Sequence, residues 1–413
     1  MHLAVERVSL TNVSEVRVAE IDIYDPEQYL RDVPYDKYRA LREKGPIHFQ
    51  SEASGPGYWA VMRYADVVAV GKQPRLFSSG QGINIPDASP DDLEVNSLIL
   101  ITMDPPDHAQ YRRLVSTGFT PKMTQRLEGA IRGAVEVILD AVAAHEEVDF
   151  VAEIASRLPL FLIADLIGWP EADRDKMFDW SNRVARIDTH PEDARDAAAE
   201  FWGYCADLIE ALENTPRGDD LISVLLEAEI DGTGLELMQI VNFLLLLAIG
   251  GNETTRNCIS GGFLALHEFP DQLAALTADP LGTSETAVEE MLRWTSPILC
   301  FRRTTTDAVE LCGQQLSAGE KVVIYYASAN RDPEVFDDPE RFDIRRSPNP
   351  HLAFGSGHHV CLGATLARME IRILFEELVA RFPDMTPVGP VERVGSNYFN
   401  GIQSFRVRVR SES

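Results

Sequence analysis

Phe354-Gly355-Ser356-Gly357-His358-His359-Val360-Cys361-Leu362-Gly363 leads into a helical pattern from Ala364 to about Arg381, so Cys361 stands just ahead of a helix N-terminus. The helix dipole and the unpaired N–H groups of a first turn both favour a thiolate there. Gly355, Gly357 and Gly363 allow positive φ where the turn needs it and let the backbone approach a flat ligand closely. Such a loop suits a metal held by one sulfur. Taken alone it also fits a buried core cysteine, the usual fate of a free thiol.

Working outward, Leu247-Ala248-Ile249-Gly250-Gly251-Asn252-Glu253-Thr254-Thr255-Arg256-Asn257 lies within a helical pattern. Paired glycines in a helix cost roughly 1 kcal/mol each relative to alanine, which points to something approaching the backbone. The alternative is a kink with the threonine bonded back to a carbonyl. Glu290 and Arg293 are three apart and share a helix face, as do His108 and Arg112 at a spacing of four.

Phe354, Gly357, Cys361 and Gly363 together resemble the haem-binding signature of the cytochromes P450, and the matching motifs extend back to His108. The resemblance implies a mainly α fold with small β-sheets. Haem b would lie between a long oxygen-activating helix and the cysteine-bearing helix, with Cys361 as axial thiolate. It assigns His108, Arg112, Arg303 and His359 to the haem propionates, with Arg302 as the neighbour that could be exchanged for Arg303. Arginine offers the planar fork that a carboxylate matches. Glu253 and Thr254 fall on the family's Ala/Gly-Gly-x-Asp/Glu-Thr motif and are the implied catalytic pair. Glu253 would relay protons from solvent and Thr254 would hand them on, because splitting O2 consumes two protons while the thiolate favours heterolysis. A structural ion network is implied for Glu290 and Arg293, with Arg341 of Pro339-Glu340-Arg341-Phe342 as its third member.

The implied activity is an O2-dependent monooxygenase. Gly250 to Asn257 particularly resembles members of actinobacterial type that hydroxylate steroids, methyl-branched lipids and terpenoids. By the same resemblance Leu98, Leu100, Ile249, Gly250, Ile298, Leu299 and Phe399 fall on the substrate pocket, although each could equally pack the core. Their apolar character favours a hydrophobic small molecule, a steroid or terpenoid ahead of a fatty or methyl-branched lipid. No Gly-x-Gly-x-x-Gly fingerprint follows a strand, so electrons are expected from an iron–sulfur ferredoxin and its reductase. That partner would dock through Arg112, Arg113, Arg345, Arg346 or Arg368. A non-catalytic haem- or lipid-binding protein and a peroxide-driven peroxygenase are the competing classes, and the Glu253–Thr254 pair argues against both.

Acidic residues outnumber basic ones 65 to 38, for a formal charge of -27, which repels nucleic acid and anionic lipid surfaces. Five cysteines without a CxxC pair suggest neither a disulfide framework nor a zinc site, and fit a reducing, cytoplasmic setting. Met1 to Arg7 lacks the charged and apolar regions of a signal peptide, and the apolar run Ile240–Gly250 is too short to span a bilayer, so no membrane anchor is expected. Helices are expected at Tyr35–Glu43, Leu127–Ala144, Ile154–Ile167 and Ala197–Leu212, and strands at Gly57–Arg63, Lys321–Tyr325 and Ser404–Val409. Ser78–Asn96 reads as a long loop, a candidate substrate lid. No linker interrupts the chain, which predicts one haem domain over residues 1–413 with a β-richer part at about 1–75.

Overall fold

Apolar residues recurring every three to four positions build most of this chain into helices, and strands serve mainly to fix the edges. The computed structural model describes residues 21–116, 121–184, 190–212, 218, 220–230 and 232–410. The stretch Met1 to Arg7 discussed above lies outside them.

The first part carries α1 (Tyr35–Lys44), β1 (Ile47–Gln50), β2 (Tyr58–Val61), α2 (Tyr64–Gly71) and β3 (Phe77–Ser78). Ser78–Asn96 is not all loop: Pro90–Asn96 forms α3. Ser89 and Asp92 cap it reciprocally and Pro90 opens it, a start signal that outweighs the lack of periodicity in so short a piece. The helical body follows with α4 (Asp107–Val115), α5 (Pro121–Ala143), β4 (Glu147–Asp149), α6 (Arg157–Ile167), α7 (Arg174–Val184), α8 (Pro191–Leu212) and α9 (Leu221–Leu226). The helix expected from Ile154 is two elements, because a π-helical turn at Val151–Ala155 precedes α6.

After the short hairpin β5 (Glu229–Ile230) and β6 (Thr233–Gly234) comes α10, Leu237–Glu268, a helix of 32 residues. Glu236 and Gln239 cap its start, and Pro270 begins α11 (Pro270–Ala278) where it stops. By length and composition α10 could cross a bilayer, although the apolar run Ile240–Gly250 taken alone is too short to do so. Here it packs against α6, α7, α8, α12 and α14. The remaining elements are α12 (Pro280–Thr295), β7 (Cys300–Thr305), β8 (Val309–Leu311), β9 (Gln314–Leu316), β10 (Lys321–Tyr325), α13 (Tyr326–Ala329), α14 (Ala364–Arg381), β11 (Thr386–Arg393) and β12 (Ile402–Arg408).

The largest sheet has the order β1-β2-β10-β7-β3, and β2 pairs in parallel with β10. The β-richer N-terminal part is therefore sewn to strands more than 200 residues later. Apolar side chains cover both faces, one around Tyr38 and Tyr325 and the other around Phe77 and Ile324. Two helical cores complete the interior, one where α5, α10, α12 and α14 meet and one where α6, α7, α8 and α10 meet.

Glu290 is the hub of a buried ion network. It accepts two hydrogen bonds from Arg293, at 2.8 and 2.7 Å, and both side chains are 0% exposed. The third partner is Arg346, whose Nε lies 3.1 Å from Glu290 Oε2, and not the expected Arg341. Arg341 points its guanidinium to solvent near Asp271, and only its carbonyl joins the network, accepting from Arg293 and Arg346. The turn after Phe342, whose ring is buried, swings Arg346 back over Glu290. Arg346→Ala is expected to cost about 3 kcal/mol in denaturant unfolding because it strips a buried carboxylate of a partner. Arg341→Ala should cost no more than about 0.5 kcal/mol; equal losses would contradict the assignment.

Candidate active site

The cysteine loop is bolted to its surroundings before α14 begins. The Cys361 N–H donates to the Phe354 carbonyl at 2.9 Å, closing the loop on itself. Gly357, with φ +71, lies so close to α2 that a Cβ would sit 2.2 Å from the Gly71 oxygen. Gly357 thus serves helix packing, not approach to a flat ligand, whereas a Cβ on Gly363 would point into open space. The Phe354 ring carries the Arg368 guanidinium 4.5 Å above its centroid. Arg368 in turn donates to Glu289 at 2.6 and 3.0 Å. Burial alone would raise the Glu289 carboxyl, but His351 and Arg368 overcome it and hold the group down at about 2.

Cys361 itself presents an exposed surface at the bottom of the fold. Surrounding protein pushes its thiol up, while the Gly363 N–H, Arg112 and Arg368 pull the other way. The net direction is upward, so a helix terminus does not by itself make the thiolate. A metal bound to the sulfur would supply the missing stabilisation.

Beside the loop lies a cluster of cationic and imidazole groups. The His108 ring is buried and sits 4.4 Å from that of His358 and 4.3 Å from that of His359, centroid to centroid. His108 Nδ1 and His358 Nε2 are buried without a hydrogen-bond partner. Burial and the neighbouring positive groups depress His108 to about 4, and His359 further. Arg302 and Arg303 point to opposite faces of β7, which resolves their ambiguity. Arg302 is consumed by Asp87 at 2.9 Å and by the Pro86 carbonyl at 3.1 Å. Arg303 is 3% exposed, and its guanidinium donates to the Arg302 carbonyl. Among the described residues no ion pair involves Arg303 or Arg112. The buried Arg303 and the half-buried Arg112, neither in a described ion pair, together with two orphan imidazole nitrogens and one open thiol fit the propionates and iron of haem b. His108, Arg112, Arg303 and His359 would hold the propionates and Cys361 the metal. His358 had not been singled out from the sequence, although its place beside His359 was visible there.

Facing this loop is the midpoint of α10. Leu246, Leu247, Ile249 and Thr254 are partly exposed and Gly250 is exposed, although the helix around them is buried. Leu362 and Leu366 pack against the same cluster, which sets the start of α14 opposite this face. The two glycines do different work. A Cβ on Gly251 would lie 2.8 Å from Ile163 Cδ1, so this glycine lets α6 approach, whereas Gly250 opens onto free space. The Thr254 hydroxyl donates to the Gly250 carbonyl at 2.7 Å. Glu253 is buried; its Oε1 accepts from Arg256 and from Asn257, and its Oε2 has no partner. Arg256 also donates to Asn182 of α7 at 2.9 Å. Arg256 was missed in the sequence, where its spacing of three from Glu253 was the available signal.

The pocket residues divide. Ile298 and Phe399 pair in a β-bridge and are partly exposed, as are Leu98 and Ile249. Leu299 is fully buried in the sheet core with Tyr38 and Tyr325, between the Ile298 bridge and β7. Leu100 is also core, packed with Met103 and Tyr111. The loop before α3 is pinned by Arg302, which takes the Ile85 and Pro86 carbonyls and Asp87, and by Lys321, 3.0 Å from Asp87.

One open thiol below an apolar helix face, edged by Arg112, Arg303 and a cluster of imidazoles, suits a cysteine-ligated haem protein. The cytochrome P450 family model matches residues 283–391. A steroid C26-monooxygenase of Rhodococcus jostii is 37% identical over 98% of this chain and 88% of its own length. A methyl-branched lipid omega-hydroxylase of Mycobacterium tuberculosis is 38% identical over 97% of each. A Mycobacterium marinum cytochrome P450 solved with pseudoionone superposes with a TM-score of 0.88 at 37% identity, covering 95% of this chain and 100% of that one. The chain belongs to the cytochrome P450 family. It is a monooxygenase with a mainly α fold and haem b as its cofactor. Arg303→Leu is expected to lower the haem-to-protein absorbance ratio severalfold; a variant that retains full haem through gel filtration would remove Arg303 from the site.

Proposed function

We propose that this enzyme hydroxylates a steroid or terpenoid, with a methyl-branched lipid as the second choice, using electrons from an iron–sulfur ferredoxin. The carrying observation is the partly exposed apolar stripe Leu246, Leu247, Ile249 and Gly250, together with the partly exposed Ile298–Phe399 bridge, with no charged side chain among them. It suits a hydrophobic guest and offers nothing to a charged one. The relatives named for steroid and branched-lipid oxidation support both choices at near-equal identity.

The haem supplies oxygen activation and the oxidation of a C–H bond. The chain's own residues supply position and protons. Gly250 leaves room beside the helix backbone, and the Thr254 hydroxyl, while donating to the Gly250 carbonyl, turns an acceptor lone pair outward. Glu253 would carry a proton on its unpartnered Oε2 while Arg256 and Asn257 hold Oε1, and Asn182 is placed to steady that guanidinium. The competing non-catalytic reading gives no role to a buried carboxylate with an unpartnered oxygen.

Ferredoxin docking is proposed on the cysteine side, with a smaller set of charges than the sequence offered. Arg346 is committed to Glu290 and Arg368 to Glu289, whereas Arg113 and Arg345 are exposed. A groove lined by Lys72, Arg75 and His358 adds charge next to the loop. We further infer one haem unit over residues 1–413 in the cytoplasm; the five free cysteines and the sheet shared by both ends of the chain support this.

A ferric spin-state titration with a sterol enone and with a monoterpenoid tests the substrate class. A response to the sterol supports the steroid reading, and a response only to the small ligand rejects it. In turnover with ferredoxin, its reductase and NAD(P)H, Thr254→Ala should divert electrons into hydrogen peroxide. Arg113→Glu with Arg345→Glu should slow reduction without changing substrate affinity. Full coupling in the first variant or unchanged reduction in the second would contradict the respective role.

A further inference from the structure

Asn242 lies in the apolar N-terminal half of α10, between Val241 and Phe243. It is 0% exposed, and both its Nδ2 and its Oδ1 are without a hydrogen-bond partner. Among the described residues it is the one buried side-chain amide with neither end bonded; Asn252 and Asn257 on the same helix each donate to a side chain. An amide stranded in this way costs about 1–3 kcal/mol, which any aliphatic residue at that position would avoid. A polar group kept there at that cost calls for a reason.

The helix geometry points to one. Asn242, Leu246, Ile249 and Gly250 are spaced i, i+4, i+7 and i+8, so they share one face of α10. The last three are the residues through which that face opens toward the cysteine loop. Asn242 is the next position along the same stripe, at its far, closed end. At 1.5 Å per residue it lies about 12 Å along the axis from Gly250 and about 18 Å from Thr254.

We propose that Asn242 is a specificity residue that hydrogen-bonds a polar group at the far end of an elongated, otherwise apolar substrate. The inference rests on the hydrophobic-substrate reading above and narrows it. The oxidised carbon must sit beside Gly250 and Thr254, so the polar group recognised by Asn242 is separated from it by the length of two to three helical turns. An oxygenated sterol oxidised on its side chain has that form, and a ten-carbon terpenoid is too short. The amide can donate to a ketone or accept from a hydroxyl, so it reads oxygen at that end without requiring charge. Because Asn242 is fully buried, the ligand must part the turn above Leu246 to reach it, and the new hydrogen bond offsets the cost of doing so.

The test uses the ferric holoenzyme, wild type and Asn242→Leu, with ligands in pairs. A sterol 3-ketone is titrated against its 3-deoxy counterpart, and a methyl-branched fatty alcohol against the matching alkane. Spin-state titration supplies the dissociation constants, and thermal unfolding without ligand shows whether the substitution is tolerated. The wild type is expected to prefer the oxygenated member of the responding pair by about tenfold. Asn242→Leu should reduce that preference to about one while its unfolding temperature is unchanged or higher. Preference lost for the sterol pair supports both the residue and the steroid reading. Preference lost only for the lipid pair keeps the residue's role and overturns the steroid reading. Preference retained in the variant, or no response from either pair, overturns the proposal.

Discussion

A single sulfur can hold a metal in a defined place only if the loop that carries it cannot move, and much of this structure serves that requirement. Glycine-rich turns lose more conformational freedom on folding than any others, so this one must be held from outside. Two anchors do so. Gly357 is pressed on the end of α2 so closely that no side chain fits between them, and Phe354 lies under Arg368, which Glu289 holds in place. Glu289 is next to Glu290, and Glu290 ties α12 to Arg346 at the far end of the coil that leads into the loop. One turn of α12 therefore fixes the coil at both ends. The buried charges are tolerated because each carboxylate oxygen meets several donors, the condition under which an interior ion network is worth its desolvation.

Parts of this were legible in the sequence because they depend on local backbone constraint. The cysteine loop, the paired glycines of α10 and the Glu290–Arg293 pair each sit within one turn or one helix, where spacing alone determines which groups meet. Arg346 was not legible. Whether it or Arg341 reaches Glu290 depends on how an irregular coil folds back, and the pattern of residue types is the same either way. In α3, local capping by Ser89 and Asp92 overrode a composition that reads as loop. The propionate cluster stands between these cases. Its members come from α4, β7 and the cysteine loop, so the sequence suggested them only by resemblance, and the structure brings His108, Arg303 and His359 to one edge.

The long helix shows how one element meets opposing demands. It must pack on several neighbours, yet it must also leave space at its middle. Gly251 and Gly250 divide these tasks between adjacent positions, 100° apart on the helix, one admitting Ile163 of α6 and the other keeping the slot open. A larger residue at 251 would push α6 away and loosen the helical core, while one at 250 would fill the space that a reacting molecule needs. The two substitutions differ in the property they would damage, although they sit side by side.

The same helix holds its buried carboxylate under restraint. Glu253 is buried, and its two oxygens are held unequally. Oε1 is bonded to Arg256 and Asn257, and Oε2 is bonded to nothing. Arg256 is itself shared with Asn182 of α7, so motion of α7 relative to α10 changes how firmly the carboxylate is held. Helix α7 is thereby connected to Glu253 through one guanidinium, and under the role proposed for Glu253 a shift of α7 would alter proton delivery without touching the carboxylate itself.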